Sequence, residues 1–272
     1  MAAVMVRVHE FHDNVDLIRH QIFNTIRMFN VEHRDTYGPL LLCMDSKENW
    51  RREVFPQYKA NRRKNRQESV HDWKAIYKVM DEVRDELINH SPYKCVRVER
   101  CEADDVIGTI CERHMSPSPI LIISPDRDFV QLQKFPNVKQ YSNLQRKWVE
   151  PEVSAIYDLE LKVLKGDTGD GVPNVLSDDD CLITEGVRQS KLTSDKIEKL
   201  MKDPEALGTT TARRIIRNRN MIDLSRTPED LKEEIMNQFN QKANGSVMKL
   251  MSVFTKHKMK MLMESLQDFE VR

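Results

Sequence analysis

The sequence lacks a net charge, a paired-cysteine motif and a long apolar segment. Its 43 lysines and arginines equal its 43 aspartates and glutamates, so the net charge identifies no partner. The five cysteines form no CxxC pair, and their odd number indicates the reduced thiols of a cytosolic protein. Because the sequence has neither a run of about 18 apolar residues nor a secretory leader pattern, we expect a cytoplasmic protein without a membrane segment.

The charges are segregated along the chain although they balance in total. Residues 47–66 carry eight cations and only two carboxylates, Glu48 and Glu53. A chain that separates its charges in this way is expected to hold cations at one place and a polyanion at another. The eight cations are Lys47, Arg51, Arg52, Lys59, Arg62, Arg63, Lys64 and Arg66.

Eight carboxylates stand where short apolar runs end. Closely packed carboxylates raise one another's pKa, so such a cluster stays ionised only when a cation neutralises it. Oxygen ligands without His or Cys favour Mg²⁺ or Mn²⁺ over zinc. Taken singly, Asp105 or Asp128 has an even chance of being a helix cap instead. The predicted ligands are Asp45, Glu102, Asp104, Asp105, Asp126, Asp128, Asp167 and Asp170.

The order of predicted elements indicates an α/β fold with a mostly parallel central sheet flanked by helices. Short apolar strands alternate with helices and end in carboxylates, which places a crevice beyond the carboxyl ends of the strands. The alternation stops near residue 150, so we expect an α/β domain over 1–151 and a helical subdomain over 152–272. Predicted strands are Pro39–Met44, Cys95–Val98, Ile120–Ile123, Val138–Tyr141 and Lys147–Val149; predicted helices are Val15–Phe29, Trp73–Ile88, one from Glu102, Val153–Lys165, Asp195–Met201, Thr210–Arg219, Pro228–Phe239 and Val247–Phe269.

Several ordered motifs resemble the 5′-nuclease (flap endonuclease) family, most closely its T-even phage ribonuclease H branch. Any one motif alone would be weak, but their shared order is specific. Phe135–Gln140 and the pair Lys147-Trp148 support the T-even branch. The motifs are Leu42–Asp45, Trp50–Arg52, Pro56–Arg62, Glu102–Asp105, Ile123–Phe129 and Lys165–Pro173.

The resemblance implies a PIN-like nuclease domain with two Mg²⁺ ions, for which Mn²⁺ can substitute, and a DNA-binding helical subdomain. It implies removal of RNA primers or 5′ DNA flaps during phage-type replication, by a monomer acting on DNA and RNA–DNA hybrids. Two ions can activate water and stabilise the leaving oxygen without a protein base. By resemblance Asp45, Glu102, Asp104 and Asp126 approach the first ion, Asp128, Asp167 and Asp170 approach the second, and Asp105 lies beside the site.

The basic segment resembles the family's arch above the metals. The resemblance implies that this segment contacts the nucleic-acid substrate and that Lys59 and Arg62 lie at the scissile phosphate. The residues expected to make these contacts are Arg51, Arg52, Tyr58, Lys59, Arg62, Arg63 and Arg66. Lysine and arginine neutralise phosphates, and Tyr58 could stack on a splayed base. The alternative is a solvated basic helix. A second group, Arg213, Arg214, Arg217 and Arg219, is expected to follow duplex backbone, although the acidic run Asp178–Asp180 replaces the family's second glycine pair. We interpret that run as solvated surface.

The C-terminal methionines are interpreted as core-facing side chains of one helix, together with Phe254. A Met-rich face is also an adaptable partner surface. In the T-even branch this region is associated with a single-stranded-DNA-binding protein, which the resemblance therefore suggests as a partner. The methionines are Met248, Met251, Met259, Met261 and Met263.

The start of the chain departs from the family pattern. The family's first metal aspartate stands in a strand just ahead of the helix that Val15–Phe29 resembles, whereas the earliest aspartate here, Asp13, lies in a polar turn. We therefore expect one interior strand and one first-ion ligand to be missing, with weak or no activity in the chain as given. Two functions stay open: an active Mg²⁺-dependent 5′-nuclease, or a nucleic-acid-binding protein that kept the fold without the chemistry.

Overall fold

The protein is an α/β structure, as predicted, and its computed structural model describes residues 14–61, 73–114 and 117–271. The described residues form two compact units. The first draws on residues within 1–44, 70–96 and 237–272, and the second on residues within 45–69 and 97–236. The expectations about Met1–Val8 and Asp13 lie outside the described residues. The boundary at residues 151 and 152 stays a prediction.

The helices and strands follow the predicted order closely. Five of the described α-helices match expected positions within three residues at each end, and Ile120–Ile123 is a strand with the expected bounds. The α-helices are α1 Val15–Tyr37, α2 Arg51–Val54, α3 Trp73–His90, α4 Ala103–Arg113, α5 Ala155–Lys165, α6 Ser194–Lys202, α7 Thr209–Ile222, α8 Glu229–Asn240, α9 Val247–Lys256 and α10 Lys260–Glu264; the 3₁₀ helices are Arg127–Lys134, Leu224–Arg226 and Leu266–Phe269; the strands are β1 Leu41–Cys43, β2 Lys94–Val96, β3 Ile120–Ile123, β4 Val138–Ser142 and β5 Lys147–Trp148.

The first unit contains a two-stranded parallel sheet. β1 pairs with β2 so that Leu42 lies opposite Cys95, and the long helix α3 lies between the two strands in the chain. Parallel neighbours require such a crossover because the end of one strand and the start of the next lie on opposite edges. We predicted that β1 and β3 are buried on both faces, and this is wrong. All three residues of β1 are half-buried, and Ile122 is the one fully buried residue of β3.

The core of the first unit joins α1, α3 and the C-terminal helices. α1 begins where Asn14 Oδ1 accepts a hydrogen bond from Leu17 N at 3.1 Å, and its apolar face repeats every three to four residues. Phe254 on α9 is fully buried between two rings, with centroid distances of 5.3 Å to Phe23 and 5.2 Å to Phe269.

The prediction of one Met-rich helix over Val247–Phe269 is wrong. The helix α9 ends at Lys256, and the chain continues as α10 and a 3₁₀ helix. Lys258, between α9 and α10, has a φ of 54°, and a residue with this left-handed backbone conformation cannot continue a right-handed α-helix. The methionines consequently divide, because Met259 is buried while Met248 is 75% exposed and Met261 is 71% exposed. Core packing is therefore confirmed for Met259 and wrong for Met248 and Met261.

The second unit contains a three-stranded sheet, α2, α4 to α7 and the part of α8 up to Met236. β3 pairs in parallel with β4, and β4 pairs antiparallel with β5. The cluster between α5, α6 and α7 buries Val163, Leu200 and Ile215, while a second cluster packs Phe129 and Leu132 of the 3₁₀ helix beside Ile122. The described helices include none that is long and apolar enough to cross a membrane.

We predict that Phe254→Ala lowers the free energy of unfolding by about 3–5 kcal/mol, because it leaves a cavity between two rings. Met248→Ala on the same helix should change it by less than about 0.5 kcal/mol, since that side chain is mostly exposed. Urea unfolding followed by circular dichroism measures both. Equal costs for the two variants would contradict the orientation of α9, with Phe254 toward the core and Met248 toward solvent.

Candidate metal centre

All eight predicted carboxylates lie in the second unit. Local hydrogen bonds fix several of them at helix starts. Asp45 Oδ1 accepts a hydrogen bond from Ala103 N at 2.8 Å at the start of α4, and Asp126 Oδ1 accepts one from Asp128 N at 3.0 Å at the start of the 3₁₀ helix. Glu102 is the residue before α4. The helix ends thus hold backbone donors toward these carboxylates, as favoured for negative charge.

Asp104 is the carboxylate on which burial and neighbouring negative charges act together. Burial and the neighbouring carboxylates of Glu102, Asp126 and Asp45 raise the pKa of Asp104 to about 7. Only opposite charge nearby keeps such a carboxyl fully ionised at neutral pH. The family resemblance assigned these four residues to the first ion, and the structure places Asp104 near enough to the other three for their charges to act on its carboxyl.

Glu102 and Asp170 are joined by two side chains from the basic segment. The Tyr58 hydroxyl lies within hydrogen-bonding distance of both, 2.9 Å from Glu102 Oε2 and 3.0 Å from Asp170 Oδ2. Lys59 Nζ lies 2.5 Å from Glu102 Oε1 and 3.4 Å from Asp170 Oδ2. Burial raises the pKa of Glu102, but Lys59 and Arg51 outweigh it and hold that pKa below its usual value.

Lys162 on α5 joins the other pair of carboxylates. Its ammonium group bonds to Asp128 and lies 2.9 Å from Asp167 Oδ2. Burial raises the pKa of Asp167, but the charge of Lys162 together with backbone donors lowers it below its usual value. Lys162 was not among the site residues predicted from the sequence. The signal that could have identified it is its position near the end of a helix that stops directly before Asp167.

The turn that carries Lys59 is fastened to the loop that carries Asp170. Lys59 N donates to Asp170 O at 2.7 Å, and Asn61 Nδ2 donates to Thr168 O at 2.8 Å. Gly171 has a φ of 73°, which L side chains rarely adopt, and a Cβ there would lie 3.0 Å from Gln57 O, closer than most Cβ contacts. The position of Lys59 among the carboxylates therefore depends on this backbone contact.

Asp105 and Arg51 form a buried ion pair rather than the predicted ligand and phosphate contact. The guanidinium of Arg51 bonds to both oxygens of Asp105 at 2.8 Å, and both side chains are at most 1% exposed. Thr227 Oγ1 donates to Asp105 at 2.8 Å and Trp50 Nε1 at 3.3 Å, so the carboxylate is fully used. The prediction that Arg51 contacts nucleic acid is therefore wrong, because its side chain is buried. The prediction that Asp105 is a metal ligand is also wrong, because its carboxylate holds Arg51.

Arg52 and Tyr58 of the basic segment differ in their exposure to solvent. Arg52 is exposed and open to a phosphate, whereas Tyr58 is 3% exposed. The prediction that Tyr58 stacks on a base is therefore wrong, since its ring is buried against the core and its hydroxyl orients two carboxylates. Arg62, Arg63 and Arg66 lie outside the described residues.

The second basic group is mostly engaged within the protein. Arg214 pairs with Asp178, Arg217 pairs with Asp179, and Arg219 bonds to both oxygens of Glu160 at 2.7 and 2.6 Å. The acidic run is exposed as predicted, yet two of its members bind arginines rather than water alone. Arg213 is the member of the group that stays exposed on α7.

The types of donor suit a hard divalent cation. The seven candidate carboxylates other than Asp105 include no His or Cys, which is the ligand chemistry of Mg²⁺ or Mn²⁺. Within the described ranges no three such side chains are arranged to hold an ion as they stand. The ammonium groups of Lys59 and Lys162 lie between the carboxylates instead. Burial, followed by the charges of Glu102, Asp126 and Asp45, keeps the pKa of Asp104 raised although Lys59 lowers it.

Two family descriptions match the chain. Residues 12–158 match the 5′-3′ exonuclease N-terminal resolvase-like domain. The chain belongs to the 5′-3′ exonuclease family. Residues 153–269 match the C-terminal domain of T4 ribonuclease H, so the two matches together extend over nearly the whole sequence. The 5′-3′ exonuclease family consists of nucleases, and this chain is therefore of the nuclease class.

Individual relatives agree with this assignment. Ribonuclease H of Enterobacteria phage T4 is 35% identical over 268 residues, covering 94% of this chain and 88% of that protein. A 5′-3′ exonuclease of Streptomyces coelicolor is 29% identical and covers 53% of this chain and 52% of that protein.

Solved structures share the fold of this 5′-3′ exonuclease family member. A flap endonuclease of bacteriophage T5, in a complex with DNA and metal ions, superposes with a TM-score of 0.59 at 16% identity, over 79% of this chain and 90% of that one. The T5 5′-exonuclease with bound zinc gives a TM-score of 0.59 at 15% identity, over 84% and 93%. At this identity the likeness concerns the fold alone.

We predict that Asp105→Asn lowers the free energy of unfolding by about 3 kcal/mol or more, because it leaves the buried Arg51 charge without its partner. The matched control is Asp126→Asn, which neutralises an exposed carboxylate and should change stability by less than about 0.5 kcal/mol. Chemical denaturation measures both. A neutral effect of Asp105→Asn would show that Asp105 does not hold Arg51 in place.

Proposed function

We propose that this protein is a Mg²⁺-dependent 5′-3′ exonuclease and flap endonuclease that removes RNA primers or 5′ DNA flaps during replication. The observation that carries the proposal is the gathering of Asp45, Glu102, Asp104 and Asp126, where burial and negative charge raise the pKa of Asp104 to about 7. Similarity to a protein named ribonuclease H supports RNA–DNA hybrids among the substrates. The match of residues 12–158 to the 5′-3′ exonuclease N-terminal domain supports substrates with a 5′ end.

The proposed ligands are those that the family resemblance assigned to two ions. Asp45, Glu102, Asp104 and Asp126 would hold a first Mg²⁺ or Mn²⁺ ion, and Asp128, Asp167 and Asp170 would hold a second. Such ions, when bound, make a water molecule more acidic and stabilise the oxygen that leaves the phosphate. Mg²⁺ retains several waters, so part of this set is proposed to act through water.

Lys59 and Tyr58 give the site its own hydrogen-bond donors. Lys59 Nζ and the Tyr58 hydroxyl both reach the Glu102–Asp170 pair, so they fix the carboxylates relative to each other. The Lys59 side chain is 11% exposed, which leaves its ammonium able to meet a phosphate at the carboxylates. We assign Lys59 a catalytic role at the scissile phosphate and Tyr58 a positioning role.

Substrate binding is proposed for the exposed cations. Arg52 and Arg213 are exposed, and Arg62, Arg63 and Arg66 continue the basic segment in the sequence. Lys162 is proposed to hold Asp128 and Asp167 together until an ion takes its place. The chemistry is assigned to residues 1–151 together with the Asp167–Asp170 loop, and duplex binding to the helical part of 152–272. We further propose a monomer in the cytoplasm, with a single-stranded-DNA-binding protein as partner.

We expect Asp126→Asn to abolish Mg²⁺-dependent cleavage of a 5′-flap substrate while substrate affinity stays equal or rises. Removing the charge weakens ion binding and lessens repulsion of the phosphates. Cleavage is followed by gel electrophoresis and affinity by fluorescence anisotropy in EDTA. Wild-type turnover of the variant at limiting Mg²⁺ would remove Asp126 from the proposed ligands.

Lys59→Ala should lower kcat by about 100-fold with a smaller change in substrate affinity, since its charge acts where phosphate charge develops. Arg52→Ala is the matched control from the same segment. It should weaken binding and make the salt dependence shallower by about one unit, because it meets backbone phosphate away from the carboxylates. A loss of affinity alone in Lys59→Ala would assign Lys59 to binding rather than to catalysis.

A further inference from the structure

The β4–β5 hairpin carries an aromatic pair that the proposed mechanism does not use. Tyr141 and Trp148 are partners across the two strands, and their ring centroids lie 5.4 Å apart at an interplanar angle of 70°. Trp148 is 49% exposed, which is unusual for an indole in a folded sheet. Lys139, two residues before Tyr141 on the same strand face, places its ammonium 5.9 Å from the Trp148 ring.

The sequence that contains this pair is cationic between Asp128 and Glu150. No aspartate or glutamate occurs between Phe129 and Val149. Four cations occur there, all of them exposed, and none forms an ion pair with a described residue. They are Lys134, Lys139, Arg146 and Lys147.

The hairpin is firmly held. Gln145 N donates to Ser142 Oγ at 3.2 Å within the turn, and Val149 N donates to Gln140 O at 3.0 Å behind it. Arg146 adopts a φ of 52° in the connection between the strands. An aromatic ring on such a frame loses little conformational entropy on binding a ligand.

The hairpin is joined directly to the turn that carries Asp126. Ser124 N donates to Tyr141 O at 3.0 Å, and Gln140 Nε2 donates to Asp126 O at 2.6 Å and to Ser124 O at 2.9 Å. β3 and β4 are parallel, so their carboxyl ends lie at the same edge of the sheet. Tyr141 therefore stands one strand, about 4.8 Å, from the strand that leads into the carboxylates, with Trp148 beside it.

We propose that Tyr141, Trp148 and Lys139 form a stacking surface for the single-stranded segment of a nucleic-acid substrate. Exposed aromatic rings bind unpaired bases by stacking, and neighbouring lysines neutralise their phosphates. Paired bases inside a duplex are already stacked and cannot offer a face to Trp148. The inference rests on the proposed function in one respect: only if the protein is a 5′-nuclease is the bound single strand the 5′ tail of its substrate. The surface itself binds in the absence of any divalent ion.

Tryptophan emission in EDTA buffer tests this surface directly. The chain has three tryptophans, of which Trp50 is buried and Trp73 half-buried, so Trp148 is the one open to stacking. Titration with an oligothymidylate should quench the emission of the wild-type protein, and Trp148→Phe should remove that quenching while retaining most of the affinity. Wild-type emission that oligothymidylate leaves unchanged would overturn the proposal.

Affinity measurements separate stacking from general attraction. Trp148→Ala should weaken oligothymidylate binding about tenfold, and Lys139→Gln should reduce the salt slope by about 0.7. Tyr157→Ala, which removes another exposed aromatic ring from the second unit, is the matched control and should bind as the wild type does. Wild-type affinity in Trp148→Ala, or an equal loss for a blunt duplex, would overturn the proposal.

A cleavage assay distinguishes this inference from the proposed function. If the wild-type protein cleaves flaps with Mg²⁺ but Trp148→Ala binds oligothymidylate normally, the stacking surface is wrong and the nuclease assignment stands. If oligothymidylate binding depends on Trp148 but the wild-type protein cleaves neither flaps nor RNA–DNA hybrids, the surface stands and the proposed function fails. Equal urea midpoints for Trp148→Ala and the wild type confirm that the half-exposed ring does not support the fold.

Discussion

Repulsion between Asp104 and its neighbours Glu102, Asp126 and Asp45 is the constraint around which the candidate site in the second unit is arranged. Each would be harmless alone at a helix start or a strand end, but burial and the neighbouring carboxylates raise the pKa of Asp104 to about 7. Two ammonium groups lie among the carboxylates. Lys59 reaches the Glu102–Asp170 pair and Lys162 the Asp128–Asp167 pair, so the charge of each pair is partly balanced within the protein.

Holding those lysines in place requires a rigid frame around the basic segment. The Arg51–Asp105 pair, buried with Trp50 and Thr227, anchors α2, and the backbone contact between Lys59 and Asp170 anchors the turn that follows. Burying this much charge is tolerable because both oxygens of the Asp105 carboxylate have partners. The frame holds the Lys59 ammonium against Glu102 and Asp170.

Sequence patterns predicted the elements well and their contacts less well. The apolar run Ile120–Ile123 was located to the residue, because a short apolar run bounded by proline and serine has few alternatives. The C-terminal helix was predicted as continuous, yet it breaks at Lys258, whose left-handed φ no periodicity reports. The sequence predicted that Asp104 lies near other carboxylates, and the structure places it close to Glu102, Asp126 and Asp45, although β1 and β3, which precede Asp45 and Asp126, belong to different sheets.

The sequence by itself determined the composition of the site: which carboxylates, in which order, beside which basic segment. Only the tertiary structure decided their roles. Asp104 and Asp105 are adjacent in sequence, but one faces other carboxylates and the other faces Arg51, since successive residues at a helix start point in different directions. Lys162, Tyr58 and Trp148 likewise acquired their surroundings from partners that local sequence periodicity does not report, because those contacts depend on how separate elements pack.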